Sequence, residues 1–287
     1  MGVWGSEVQI LSPRLRRARP PSRGAGPLPS SPSPRHPGPV TERPLILVTN
    51  DDGVLAPGLA ALAEVAAKLG DTVVVAPESE RSGSSHAITL HAHLRATPLR
   101  ERWYAVAGSP VDCVYLGSLH LCPRLPDLVL SGVNPGYNLG TDVFYSGTVG
   151  AAAEGYLRGA KAMAVSTDRD VDPTAVREIV HRIAQRLLQS DEHLLWNVNI
   201  PPGAGRRADD VEVTRLGHRA YKETVEERRD LMGRPYYWIG GPPEPGEHEP
   251  GEDTYAVQHG RISLTPLELD ITARDLDKTR RILFPEA

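Results

Sequence analysis

Between Leu45 and Gly53 the sequence runs LILVTNDDG, an apolar segment that stops at Asn50 and two adjacent carboxylates, Asp51 and Asp52. Few other features restrict the fold as tightly. Ile, Leu and Val without polar alternation suit a strand covered on both faces, as in a parallel sheet. The carboxyl ends of such strands open on the crevice where α/β proteins bind ligands, so a carboxylate pair there is a candidate site. Asn and Asp-Gly are also turn formers, and Asn50 to Gly53 taken alone reads equally well as a strand-to-helix turn.

Downstream, strand and helix patterns alternate. Leu59, Leu62, Val65, Ala66 and Leu69 share one helical face after Pro57, with Gly70 at the C-terminal cap position. Thr72 to Ala76 reads as a second buried strand, leaving through the polar loop Glu78 to Ser85 (ESERSGSS). A βαβ crossover puts that loop on the same sheet edge as Asp51 and Asp52, with Ser82 and Gly83 its most interesting members. His86 to Leu94 and Trp103 to Ala107 alternate as extended segments, and Gly108-Ser109-Pro110 opens a short helix. His86 reads as a structural histidine or a general acid. Asp127 to Ser131 is a third buried strand, and its exit, Gly132 to Gly140, is too rich in Gly, Asn and Pro to be regular. A helix begins near Ser146, whose hydroxyl reads either as a plain N-cap or, with Gly147 and Thr148, as part of a phosphate cradle. Lys161 to Ser166, a helix capped by Asp172-Pro173, and Leu194 to Ile200 complete a doubly wound α/β domain over residues 44–200, with the last strand closing the sheet.

The flanks differ in texture. Residues 1–43 hold nine of the 27 prolines and seven Arg, show no period, and are expected to be disordered. Their apolar run is too short for a secretory signal, and a true start near Val40 is one expectation. Val211 to Leu216 and Tyr236 to Ile239 read as strands of a projecting hairpin. The adjacent Tyr236, Tyr237 and Trp238 form either a partner surface or a face packed back on the main sheet. Arg261 to Thr265 and Asp275 to Leu283 read as a late strand and a terminal helix, so residues 201–287 complete the domain.

Charge and composition exclude several functions. Beyond residue 43 there are 25 basic against 34 acidic residues, a balance that repels a nucleic-acid polymer while allowing a small phosphate ester brought in with a metal ion. No run reaches the ~18 apolar residues a membrane helix requires. Two cysteines, Cys113 and Cys122, without metal-finger spacing, point to a reduced, cytoplasmic protein.

Asp51, Asp52, Ser82 and Asn134 leave one sheet edge and offer two carboxylates, a hydroxyl and an amide carbonyl. Those hard oxygen donors suit Mg2+, Mn2+ or Ca2+ rather than zinc. Hydrolysis of a phosphoryl ester is the reaction they suggest, with the Ser146 to Thr148 turn holding phosphate oxygens. An acidic pair after a first strand also fits a phospho-receiver signalling module without hydrolytic activity, but that module needs an acceptor Asp at a later strand end. Here the third strand ends in Ser131 and Asn134.

Four blocks, LILVTNDDG (45–53), APESERSGSS (76–85), SGVNPGYNLG (131–140) and YSGTVGAAAEG (145–155), closely resemble the SurE family of stationary-phase survival proteins with 5′/3′-nucleotidase activity. The shorter GSPVDCVYLG (108–117), YWIG (237–240) and ISLTPLELDIT (262–272) extend the resemblance over residues 44–272. It implies a Rossmann-like three-layer α/β/α sandwich with a protruding C-terminal β-hairpin used in oligomerisation, as a homodimer or homotetramer. It further implies one divalent ion per subunit, Mg2+ or Mn2+, on Asp51, Asp52, Ser82 and Asn134, the first two catalytic. Asn50, Gly83, Asn138, Ser146, Gly147 and Thr148 fall in neighbouring blocks expected to bind phosphate. The implied enzyme is a cytoplasmic 5′-nucleotidase acting on nucleoside monophosphates.

Overall fold

A computed structural model describes residues 43–205, 210–222, 224–242, 244, 246 and 248–284. The expected disorder of residues 1–43 falls, apart from Arg43, outside the described residues.

The first strand, β1 (Leu45–Thr49), is buried along its whole length. Successive side chains of a strand point to opposite faces. Ile46 and Val48 therefore enter one core, and Leu45 and Leu47 the other. Helix α1 (Pro57–Leu69) comes next and returns the chain to β2 (Asp71–Pro77), which pairs parallel with β1. Beyond it lie β3 (Ala96–Arg100), β4 (Trp103–Val106) and α2 (Pro110–Leu116). After them come β5 (Leu128–Pro135), α3 (Gly147–Leu157), β6 (Lys161–Thr167), α4 (Arg177–Gln189) and β7 (Leu195–Ile200). Buried residues of α1 and α4 share the core with Ile46 and Val48, whereas those of α2 and α3 pack with Leu45 and Leu47. Helices on both faces of a mostly parallel sheet make the expected three-layer α/β/α sandwich.

Among the described residues nine strands form one sheet, in which β1 lies between β2 and β5. The chain thus leaves β1 toward β2 on one side and later returns to β5 on the other. The crevice beyond β1 and β5 is the topological switch point where open α/β sheets bind ligands. Close packing holds it: a Cβ on Gly58, in the first turn of α1, would stand 2.1 Å from the Val133 carbonyl oxygen of β5. Gly58→Ala forces that turn off β5, and the midpoint of denaturant unfolding should report a loss of about 2–3 kcal/mol.

Four elements differ from the sequence reading. His86 to Leu94 forms no strand, because side chains take up its backbone groups. Asp112 Oδ1 accepts the Thr89 amide at 2.8 Å and Ser109 Oγ donates to the Ala87 carbonyl at 2.6 Å. Second, β5 continues to Pro135 across a register shift between Ser131 and Asn134, so part of the expected irregular exit is strand. Proline stands at its end, where the missing N–H costs no ladder bond. Third, Leu194 to Ile200 does not close the sheet. Antiparallel β11 (Ile262–Pro266) pairs with β7, and β8 (Val211–Val213) pairs with β11.

The fourth difference is the hairpin. Its first strand is the charged stretch β9 (Thr224–Arg229), paired antiparallel with β10 (Pro235–Gly240), and not Val211 to Leu216. Every residue of both strands is exposed, so there is no buried face to impose apolar alternation. Tyr236, Tyr237 and Trp238 therefore do not pack back on the main sheet. The short α5 (Asp253–Gln258) and the terminal α6 (Leu276–Leu283) complete the described chain.

Candidate active site

Asn50, Asp51 and Asp52 come directly after β1, and two backbone bonds tie this corner to the loop after β2. Val54 N–H donates to the Pro77 carbonyl and Arg81 N–H to that of Asp51, both at 2.7 Å. The second loop thereby brings Glu80, Ser82 and Gly83 beside the carboxylate pair. The end of β5 adds Asn134, whose amide nitrogen donates to the Gly136 carbonyl at 2.7 Å, leaving its oxygen as the acceptor atom. Ser146 caps α3, its Oγ accepting the Val149 amide at 3.1 Å. The N-cap reading therefore holds, and the hydroxyl proton is still free to be donated.

These groups line one cleft of about 600 Å³. Of the residues named from sequence, Asp51, Asp52, Ser82, Gly83, Asn134, Asn138 and Ser146 line it. Asn50, Gly147 and Thr148 stand behind the wall. Asn50 is fully buried and donates to the Gly53 carbonyl at 3.0 Å. Thr148 Oγ1 donates to Asp51 Oδ1 at 2.5 Å. Gly147 leaves room for this contact, since a Cβ there would meet Asp51 Oδ2 at 3.0 Å. Asn138 is held rigidly by Ser166 Oγ and by Asn199 Oδ1, which accepts its backbone amide, each at 2.8 Å.

The carboxylates are electrostatically costly as they stand. Burial pushes the Asp51 carboxyl up, against the Thr148 hydrogen bond. Asp52 is pushed up to about 7, first by burial, then by the charges of Asp51 and Glu80. Asp52 Oδ2 and Asn50 Oδ1 are buried without a hydrogen-bond partner among the described residues. A buried, unpartnered carboxylate oxygen beside two further carboxylates is what an oxygen-coordinated divalent cation would satisfy. Among the described residues no three His, Cys, Asp or Glu cluster with metal geometry. Asp51 and Asp52 with the side-chain oxygens of Ser82 and Asn134 are oxygen donors gathered on the one cleft.

His86 does not line the cleft; its Nε2 lies 2.9 Å from Oε2 of buried Glu154, which also pairs with Arg158. The structural reading of this histidine holds. Sequence reasoning missed several lining residues. Glu80 was legible in principle, as a carboxylate two positions from Ser82. Arg169 was legible too, as the first cation beyond the carboxyl end of β6. Asp142 and Tyr221 carry no such signal: the Tyr221 hydroxyl donates to Asp142 Oδ2 at 2.5 Å across the cleft wall, 79 positions apart in sequence. Arg219 pairs with the same Asp142 oxygen at 2.8 Å.

Residues 46–223 match the family model described as Survival protein SurE. The chain belongs to the SurE family. The SurE match is supported along most of the chain by curated relatives. A 5′-nucleotidase SurE of Syntrophotalea carbinolica is 47% identical over 236 residues, covering 79% of this chain and 92% of its own. That of Nitrosococcus oceani is 45% identical over 233 residues, with the same coverage. The crystal structure of the SurE protein from Aquifex aeolicus superposes with a TM-score of 0.71 at 38% identity, covering 84% of this chain and 99% of that one. Membership and the Rossmann-like architecture with its C-terminal hairpin thus stand as expected.

Proposed function

We propose that this protein is a divalent-metal-dependent phosphomonoesterase that hydrolyses nucleoside 5′- and 3′-monophosphates to nucleoside and phosphate. The observation that carries this reading is the convergence of Asp51, Asp52, Ser82 and Asn134 on one cleft beside the N-terminus of α3. Its SurE relatives are named 5′-nucleotidases, which supports the same substrate class. Those four residues would hold the cation, Mg2+ or Mn2+, one per subunit. When bound, the cation supplies Lewis acidity to a phosphoryl oxygen and to the attacking water.

The chain's own groups do the rest. The Ser146 hydroxyl offers a donor to phosphate oxygens at the positive end of the α3 dipole. Thr148 fixes the rotamer of Asp51, and the anchored Asn138 gives the cleft a rigid wall. Gly83, with φ +71 and no atom within 4 Å of a built Cβ, leaves the loop after β2 open to a ligand. Residues 44–200 constitute the hydrolytic core. The exposed aromatic face of β10 serves assembly into a homodimer or homotetramer, and the enzyme acts in the cytoplasm. No helix among the described residues is long and apolar enough to cross a membrane.

Phosphate release from a panel of nucleoside monophosphates, with Mg2+ or Mn2+ and then with chelator, tests the reading. Turnover that survives chelation, or a panel with no turnover, overturns it.

The raised Asp52 pKa gives a second measurement. Its carboxyl holds a proton more tightly folded than unfolded, so its contribution to stability is greatest below the ordinary value of 3.8 and is lost as pH rises through about 7. The Tm of metal-free protein minus that of Asp52→Asn should therefore fall between pH 4 and 7. Magnesium should raise the wild-type Tm more at pH 7.5 than at pH 5, where it must displace the proton.

A further inference from the structure

Arg169 is a cation of the cleft that the proposed chemistry leaves without a role. It leaves β6 two residues after Thr167, which pairs with Pro135 of β5, and it lines the same cleft as Asp51 and Asp52. Among the described lining residues it is the only cationic side chain. It forms no hydrogen bond or ion pair with a described residue, although Asp168 and Asp170 flank it in sequence. Asp168 instead faces the Tyr137 hydroxyl, which burial first and then the Asp168 charge push up.

The charges lining the cleft give such a group a counterpart. Its described walls carry four carboxylates, Asp51, Asp52, Glu80 and Asp142. Asp142 is matched by Arg219 at 2.8 Å, and the Ser82 hydroxyl solvates Glu80 at 2.7 Å without neutralising it. A divalent ion offsets Asp51 and Asp52. Glu80 then leaves the cleft negative toward an arriving phosphate dianion unless Arg169 is counted. With strands about 4.8 Å apart, the end of β6 stands about 10 Å across β5 from the end of β1. That separation is within the combined reach of an arginine side chain and a phosphoryl group.

We infer that Arg169 is a phosphate-recognition residue, holding the substrate's phosphoryl oxygens, and afterwards the product phosphate, with its guanidinium fork. The inference rests on the phosphomonoesterase reading for its kinetic consequence and not for its binding consequence. The fork holds the same non-bridging phosphoryl oxygens in the bound substrate and in the transition state, so it contributes uniform binding and sets KM and not kcat.

The test uses the full chain with Mg2+ present. Inorganic phosphate is titrated by calorimetry into wild type, Arg169→Ala and Arg169→Lys. Loss of one charged bidentate contact weakens phosphate binding by about 10- to 100-fold in the alanine variant, and lysine restores part of it. KM for nucleoside monophosphates rises by the same factor while kcat stays within about threefold, and Mg2+ affinity without phosphate is unchanged. Wild-type phosphate affinity in Arg169→Ala, or no phosphate binding by wild type, overturns the inference. If wild type hydrolyses no nucleotide yet the alanine variant loses phosphate affinity, the recognition role stands and the activity falls. Since Arg169 is exposed, the variants should fold, and Arg169→Gln is a second neutral substitution if alanine does not.

Discussion

Asp51→Asn should reduce kcat/KM for nucleotide hydrolysis by about 10²–10³-fold while leaving the protein as stable as wild type or more so. The two outcomes share a cause. The Asp51 side chain is 5% exposed beside Asp52, so its charge is held at a cost that a neutral amide of the same shape removes. The lost charge is also what the proposed cation requires. Thermal melting read alongside kinetics separates this from simple unfolding, which would lower both. Thr148→Val, which removes the bond to Asp51 Oδ1 and keeps the charge, should cost about 10-fold in activity. Full activity in Asp51→Asn would remove the metal site from the mechanism.

Asp253→Ala should be strongly destabilising, by about 3–5 kcal/mol, or roughly 10 °C in Tm. The side chain is fully buried. Its carboxylate accepts three backbone N–H groups, from Gly140 at 2.9 Å and from Gly217 and Thr254 at 2.8 Å. Truncation leaves three donors without their acceptor around a buried position, and each such orphan is costly. Activity should fall as well, because Gly140 begins the turn that carries Asp142 to the cleft wall. Asp253→Asn keeps one acceptor oxygen and should recover part of the stability. A melting temperature within about 3 °C of wild type for the alanine variant would show that water replaces the carboxylate.

The legible part of the fold came from burial on two faces and from strand ends. β1, β2, β5 and β6 carry apolar runs with no competing pattern, and Asp51, Asp52, Ser82 and Asn134 are polar residues at the ends of such runs or in the loops beyond them. The hairpin and its second strand were legible, but the first strand escaped because β9 owes its strand state to cross-strand bonding with β10, which leaves no periodic mark when both faces meet solvent. His86 to Leu94 alternates as a strand would, yet Asp112, 23 positions away from Thr89, takes its hydrogen bonds. Asp142, Tyr221 and Asp253 escaped for the same reason, since their partners are distant in sequence and their own neighbourhoods look like ordinary loops.

The antiparallel seam between β7 and β11 has a consequence for biosynthesis. Residues 195–200 leave the ribosome long before 262–266, so the nascent sheet carries an open edge until the last strand of the sheet has emerged. That edge bears Asn197 and Asn199, whose amides donate to the Asn138 carbonyl. An internal anchor therefore steadies the waiting strand before its final neighbour arrives.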